Sequence, residues 1–177
     1  GFNSTLIRTA TSVIKETDSH VVVGLVGRRG RDYFVRRDAD VCFEEVNIFN
    51  DLQYSHAQAM ARIAIEQYSS GEASGVSVIY NEFKSVLQQR VVVDQVLPIA
   101  RLDTPSVDVE LSADYLYEPD PAVIFDTLIP RHVEIQFYHA LLESAAAEHA
   151  ARLMSMDSAT RNATAPKPAT TCLTFIR

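Results

Sequence analysis

The stretch from 122 to 163 constrains this chain more than any other, because Pro130 is the only residue in it that interrupts helix. Pro130 has no N–H to donate, so it is expected to start a new turn or to kink the helix. Beyond it, Val133, Phe137, Ala140, Ser144, Ala147, Ala151 and Met154 recur at alternating four- and three-residue steps. That is the spacing of a heptad seam. Over roughly thirty residues it extends about 45 Å, and its small side chains permit a neighbouring helix to come close. A seam of this length demands a long partner helix, and the rest of the sequence contains none to match. It therefore points to a missing segment or an obligate partner. The competing account is a helix that lies along its own domain.

The remainder reads as alternating helices and strands. Asn3 or Ser4 is placed to cap a helix carrying Leu6, Ala10, Val13 and Ile14 on one face and ending near Thr17. Val21 to Val26 is continuous and β-branched, as in a strand buried on both faces. Residues 27–31 read as a turn, Tyr33 to Arg36 as a short second strand, and Val41 to Ile48 as a third. Ser55 opens a helix with Ala57, Met60, Ala61, Ala64, Ile65 and Tyr68 on one face, closed by Gly71. Val76 to Tyr80 and Val91 to Ile99 read as two further strands. The expected class is α/β, a Rossmann-like sheet flanked by helices, followed by a long C-terminal helix that is half of an antiparallel coiled coil. The expected division is a globular domain over 1–100, a connector or foot over 101–121, the long helix over 122–163 and an atypical disordered tail over 164–177.

Little of this sequence invites chemistry. Gly24 to Gly30 follows a strand, but its glycines are not spaced as GxGxxG and no GK[ST] is present. With Tyr33 to Val35 read as strand, there is also no helix N-terminus for a phosphate, so a hairpin turn is the expectation. His139 and Glu143 lie four apart on the long helix, as do His132 and Gln136, without the pairs that hold a metal in a bundle. There is no GxSxG elbow, and Cys42 and Cys172 lack neighbouring basic residues and are too few for a disulfide framework or a zinc site. No catalytic, cofactor or metal residue is therefore expected. A net charge of −7 argues against bulk nucleic-acid binding. The basic residues nevertheless gather early, with Arg8, Lys15, Arg28, Arg29, Arg31, Arg36 and Arg37 against Glu16, Asp18 and Asp32 in the first 37 positions. Such a split suits faces that meet different partners, or a solvated basic hairpin. No apolar run approaches the ~18 residues that span a bilayer. The chain begins at Gly1 without a leader, as expected of a processed start or an internal piece of a longer chain.

A series of blocks, in order, resembles one family. Gly1-Phe2-Asn3-Ser4, Val26-Gly27-Arg28-Arg29-Gly30-Arg31-Asp32-Tyr33-Phe34, Tyr80-Asn81-Glu82-Phe83-Lys84-Ser85 and Leu97-Pro98-Ile99 each fit. The most specific run is Tyr115-Leu116-Tyr117-Glu118-Pro119-Asp120-Pro121, followed by Leu128-Ile129-Pro130-Arg131 and Ala140-Leu141-Leu142-Glu143-Ser144. Glu148-His149-Ala150-Ala151-Arg152 and Met156-Asp157-Ser158-Ala159-Thr160-Arg161-Asn162-Ala163 complete the series. In these blocks the sequence is similar to the gamma subunits of F-type ATP synthases along nearly its whole length.

The resemblance implies a rotor, or central stalk, in which two long terminal helices form a coiled coil inside the alpha/beta catalytic hexamer. It also implies the epsilon subunit and the membrane c-ring as partners, and a peripheral place on the cytoplasmic face of a bacterial inner membrane or its organellar equivalent. Arg28, Arg29, Arg31, Tyr115, Tyr117 and Glu118 are then the expected intersubunit contacts, with Val133, Phe137, Ala140, Ala147 and Ala151 facing the family's N-terminal helix. That helix is absent here, as is the family's final helix, and Thr164 to Cys172 departs from the pattern. The departure is expected to reflect a changed reading frame or a truncation after Ala163. A stand-alone α/β nucleotide-binding protein and a helical adaptor are the alternatives.

Overall fold

The structure, a computed structural model, describes residues 2–99 and 121–164. Its elements are α1 (Phe2–Glu16), β1 (Val23–Val26), α2 (Arg28–Val35), β2 (Val41–Glu45), a 3-10 turn (Ile48–Asn50), α3 (Tyr54–Ser69), β3 (Val76–Ser85), β4 (Gln88–Leu97) and α4 (Pro121–Thr164). The chain is thus mixed α/β with a long helix at its C-terminal side, as the alternation of patterns implies. The expected connector and tail, with Tyr115, Tyr117 and Glu118, lie outside the described residues except for Pro121 and Thr164, which are the two ends of α4.

The first unit corrects the expected hairpin. β1 and β2 pair in parallel, with Gly24 opposite Phe43 and Val26 opposite Glu45. Parallel neighbours cannot be joined by a tight turn and require a crossover. Residues 28–35 supply it as α2, so Tyr33 to Arg36 is not a strand. Gly27 opens this helix at φ 91°, a conformation that side chains other than glycine's resist. Phe34 is the buried residue of α2 and packs with Ala10 of α1 and Leu25 of β1. A strongly polar helix is held here by one aromatic anchor, which is why its helical period is faint in the sequence. Only Leu25 of β1 is buried, so that strand is covered less than its apolar run implies. A methyl group at Gly24 would overlap the ring of Phe43, which lies directly across the ladder.

Smaller differences follow the same logic. α1 begins at Phe2, so Asn3 and Ser4 lie inside the helix and not at its cap. α3 opens at Tyr54 with a reciprocal cap, in which the Gln53 N–H donates to Nδ1 of His56 at 3.2 Å. β3 and β4 extend beyond the apolar cores seen in sequence and form one antiparallel ribbon, from Val76 opposite Leu97 to Ser85 opposite Gln88. The polar residues Asn81, Glu82 and Lys84 conceal this length: Asn81 is buried despite its polarity, while Glu82 and Lys84 lie on the other face of a ribbon whose outer end is wet. Among the described residues the hydrogen bonding gives two separate two-stranded sheets, β1 with β2 and β3 with β4.

α4 runs through Pro130 as one assigned helix of 44 residues. Its main contacts are with α3 and β3. Val133, Phe137 and Leu141 join Ala57, Met60, Ala61 and Ala64 of α3 and Val96 and Leu97 of β4 in the larger core. Val133 is fully buried, and Ala140, Ala147 and Ala150 are buried too. The seam is therefore not waiting wholly for a missing helix. Over 133–150 it is occupied by its own domain, the competing account given above. From Ala151 onward the seam opens, with Ala151 and Met154 half-exposed, as Ser144 already is.

Candidate functional site

The contact between α4 and its domain is bordered by polar anchors set on either side of the apolar seam. Glu134 directly follows Val133, so its side chain leaves the helix at the margin of the core. There its carboxylate accepts the Tyr54 hydroxyl at 2.6 Å and Nε2 of Gln58 at 3.2 Å, tying α4 to the first turns of α3. The bond to Glu134, more than loss of water, raises the Tyr54 phenol above its ordinary 10.0. The Tyr54 ring also meets the edge of Tyr138, with centroids 5.3 Å apart.

Nine residues on, the other border is drawn against β3. Glu143 accepts the backbone N–H of Phe83 at 2.7 Å through one oxygen, and its other oxygen lies 3.6 Å from Nε2 of His139. β3 has β4 on one side only, and a carboxylate here satisfies a backbone donor that a neighbouring strand would otherwise take. His139 packs edge-on against Tyr80, whose hydroxyl donates to Asp94 at 2.7 Å. Burial, reinforced by the Asp94 carboxylate, pushes the Tyr80 phenol well above the ordinary tyrosine value. Two residues further along the same face of β3, Glu82 is held below the usual carboxylate value by its hydrogen bond to Lys84, with Arg90 adding to the effect.

The expected contact residues separate into three groups. Arg28, Arg29 and Arg31 are exposed on the first turn of α2, where Arg28 reaches Oδ1 of Asn47 at 3.4 Å and Arg31 pairs with Glu44 at 2.7 Å. Arg29 has no polar partner among the described residues. Val133, Phe137, Ala140 and Ala147 are spent on the chain's own domain, which leaves Ala151 alone of the five beside the open seam. Tyr115, Tyr117 and Glu118 lie outside the described residues. Glu134 was missed by sequence reasoning, and Glu143 drew notice only for its four-residue spacing from His139. Their flanking positions beside seam residues were the available signal, but the receiving groups are 80 and 60 residues away.

Nothing among the described residues gathers groups for bond chemistry. No set of three or more His, Cys, Asp or Glu is placed to hold a metal. α2 does open immediately after Gly27, which removes one of the reasons given above against a phosphate loop; the glycine spacing and the missing GK[ST] still stand against it. A shallow groove between α1 and α2 is lined by Ile7, Arg8, Lys15 and Tyr33, with the Arg37 guanidinium 3.7 Å from the Tyr33 ring centre. It is open to solvent. What the arrangement does is mechanical: it fixes a long helix against an α/β domain.

The ATP synthase family matches residues 1–168. This chain belongs to that family. It is 42% identical over 163 residues to the ATP synthase gamma chain of Solibacter usitatus, covering 92% of this chain and 55% of the relative. The gamma chain of Anaeromyxobacter dehalogenans is 41% identical over 167 residues, with 92% and 57% covered. The chain thus spans little more than half the length of the curated relatives it matches. Among solved structures, the central stalk and c-ring of Tetrahymena thermophila mitochondrial ATP synthase superposes with a TM-score of 0.68 at 23% identity, covering 90% of this chain and 69% of that one. The rotor of Euglena gracilis mitochondrial ATP synthase gives 0.61 at 14% identity, over 92% and 62%. At such identities these likenesses speak for the fold. No helix among the described residues is long and apolar enough to cross a membrane.

Proposed function

We propose that this chain works as the rotor, or central stalk, of an F-type ATP synthase, coupling proton passage through a membrane ring to ATP synthesis and hydrolysis in the catalytic head. It contributes no catalytic residue and binds no cofactor of its own. Its partners are the alpha/beta hexamer, an epsilon subunit and the c-ring, and it sits peripherally on the cytoplasmic face of the membrane. Along its exposed end α4 meets the gamma N-terminal helix, and the exposed arginines of α2, with Tyr115, Tyr117 and Glu118, meet neighbouring subunits.

The observation that carries this reading is the construction of α4. It is held on one side over 133–150, yet Val123, Phe125, Leu128, Leu153 and Met156 on its outlying turns remain more than half exposed. A helix that projects apolar turns on both sides of its attachment suits a shaft that must be gripped by other chains. The likeness of fold to two stalk and rotor structures supports the same conclusion. Work then arises from contacts that differ at each angle, which is conformational coupling.

A rotation assay tests the proposal. The head of the complex that natively carries this chain is immobilised, and a probe is fixed to the chain. ATP is expected to drive stepwise turning of the probe, while the isolated chain hydrolyses none. A probe that stays still in a complex hydrolysing ATP would sink the reading.

A further inference from the structure

We infer that Glu134 and Glu143 form the torsional joint of this chain, the two positions at which a twist of α4 is passed to its α/β domain. The inference rests on the rotor reading and assigns residues to it. The buried face of α4 between Val133 and Ala150 is built of apolar contacts. Apolar contacts resist separation but are non-directional, so by themselves they oppose a small roll of one surface over another only weakly. Hydrogen bonds to a charged acceptor are directional and stronger than neutral ones. Two such acceptors stand on opposite borders of this face. Glu134 holds the Tyr54 hydroxyl and Gln58 on α3, and Glu143 holds the Phe83 N–H on β3.

Their placement is what makes a joint. Nine residues along a helix correspond to two and a half turns, about 13 Å of rise and roughly half a turn of azimuth. The two anchors therefore leave α4 on different sides, and a roll in either direction lengthens one of them. Glu143 reaches main chain, so its load enters the β3–β4 ribbon directly and does not depend on another side chain's rotamer. His139 stands beside Glu143 and also packs on Tyr80, which joins the same anchor to the buried part of the ribbon. These are positioning residues; neither is placed near any reacting group.

The test uses the native complex carrying Glu143→Ala, Glu143→Gln, or Glu134→Ala with Glu143→Ala. Amide exchange at Phe83 is expected to quicken about tenfold in the Ala variant, the loss of one charge-assisted hydrogen bond. Glu143→Gln, which keeps an acceptor oxygen, should restore most of the protection. In the rotation assay the double variant should still turn but with a loss of torsional stiffness, seen as wider angular fluctuation of the probe at each dwell. A purely structural role would instead lower the unfolding midpoint and leave the dwell fluctuations alone. Unchanged stiffness in the double variant, or unchanged exchange at Phe83, overturns the joint. A wild-type complex that fails to turn overturns the rotor reading, which is a separate outcome.

Discussion

Tyr80 shows how one side chain can carry a pH limit. It is buried, its hydroxyl is committed to Asp94, and both conditions favour the neutral phenol. Below the ordinary tyrosine value of 10.0, folded and unfolded chains both keep this proton, so the contribution is intact. As pH rises above that value the unfolded phenol ionises while the folded one does not, and stability falls until the folded group titrates as well. Tyr80→Phe is expected to cost about 1 kcal/mol at neutral pH, because Asp94 is half-exposed and can be rehydrated. It should also shed part of the alkaline loss. Urea unfolding at a series of pH values checks both signs, and a variant whose stability falls as steeply as the parent's above that value contradicts the account. Nothing in the sequence singles out this pair, since a tyrosine in a strand is ordinary and its acceptor is fourteen residues away across a ladder.

At the scale of elements, legibility followed apolar periodicity. α3 was plain because Ala57, Met60, Ala61 and Ala64 recur on one face and all are buried. The strand cores of β3 and β4 were equally plain, but their wet ends were not, because half of each turned to solvent. α2 was misread because its only strong apolar signal, Tyr33-Phe34-Val35, is contiguous, and three adjacent apolar residues look like strand. The decisive fact, parallel pairing of β1 with β2, is a long-range property that no local window contains. The candidate site was half legible for the same reason. The seam residues were found by spacing, whereas the surface they meet was assigned to a missing helix or an obligate partner. Phe137 sits in the core formed with α3, so Phe137→Ala should cost about 3–5 kcal/mol. Leu153, 58% exposed beyond the attachment, should change stability by less than ~0.5 kcal/mol when cut to Ala. Equal losses in denaturant titrations would mean that the seam is not divided as described.

For the whole molecule, that division decides how it behaves alone. The buried half of the seam needs nothing further, while the exposed apolar turns of α4 invite association. The isolated polypeptide is expected to self-associate, as light scattering over a concentration series would record. Leu153→Ser with Met156→Ser should reduce that association without lowering the unfolding midpoint, and a concentration-independent monomer in the parent would argue against an adhesive α4.

The attachment of α4 over 133–150 also makes it a beam clamped near its middle. About a dozen described residues overhang on one side and a similar number on the other, each roughly 20 Å long at helical rise. Deflection under a sideways load grows with the cube of the free length, whereas twist grows only in proportion to it. The described overhangs are therefore far stiffer against bending than the described helix would be if it were held at one end. A substitution that frees a single turn at the edge of the clamp, beside Val133 or Ala150, should soften bending much more than it softens twist.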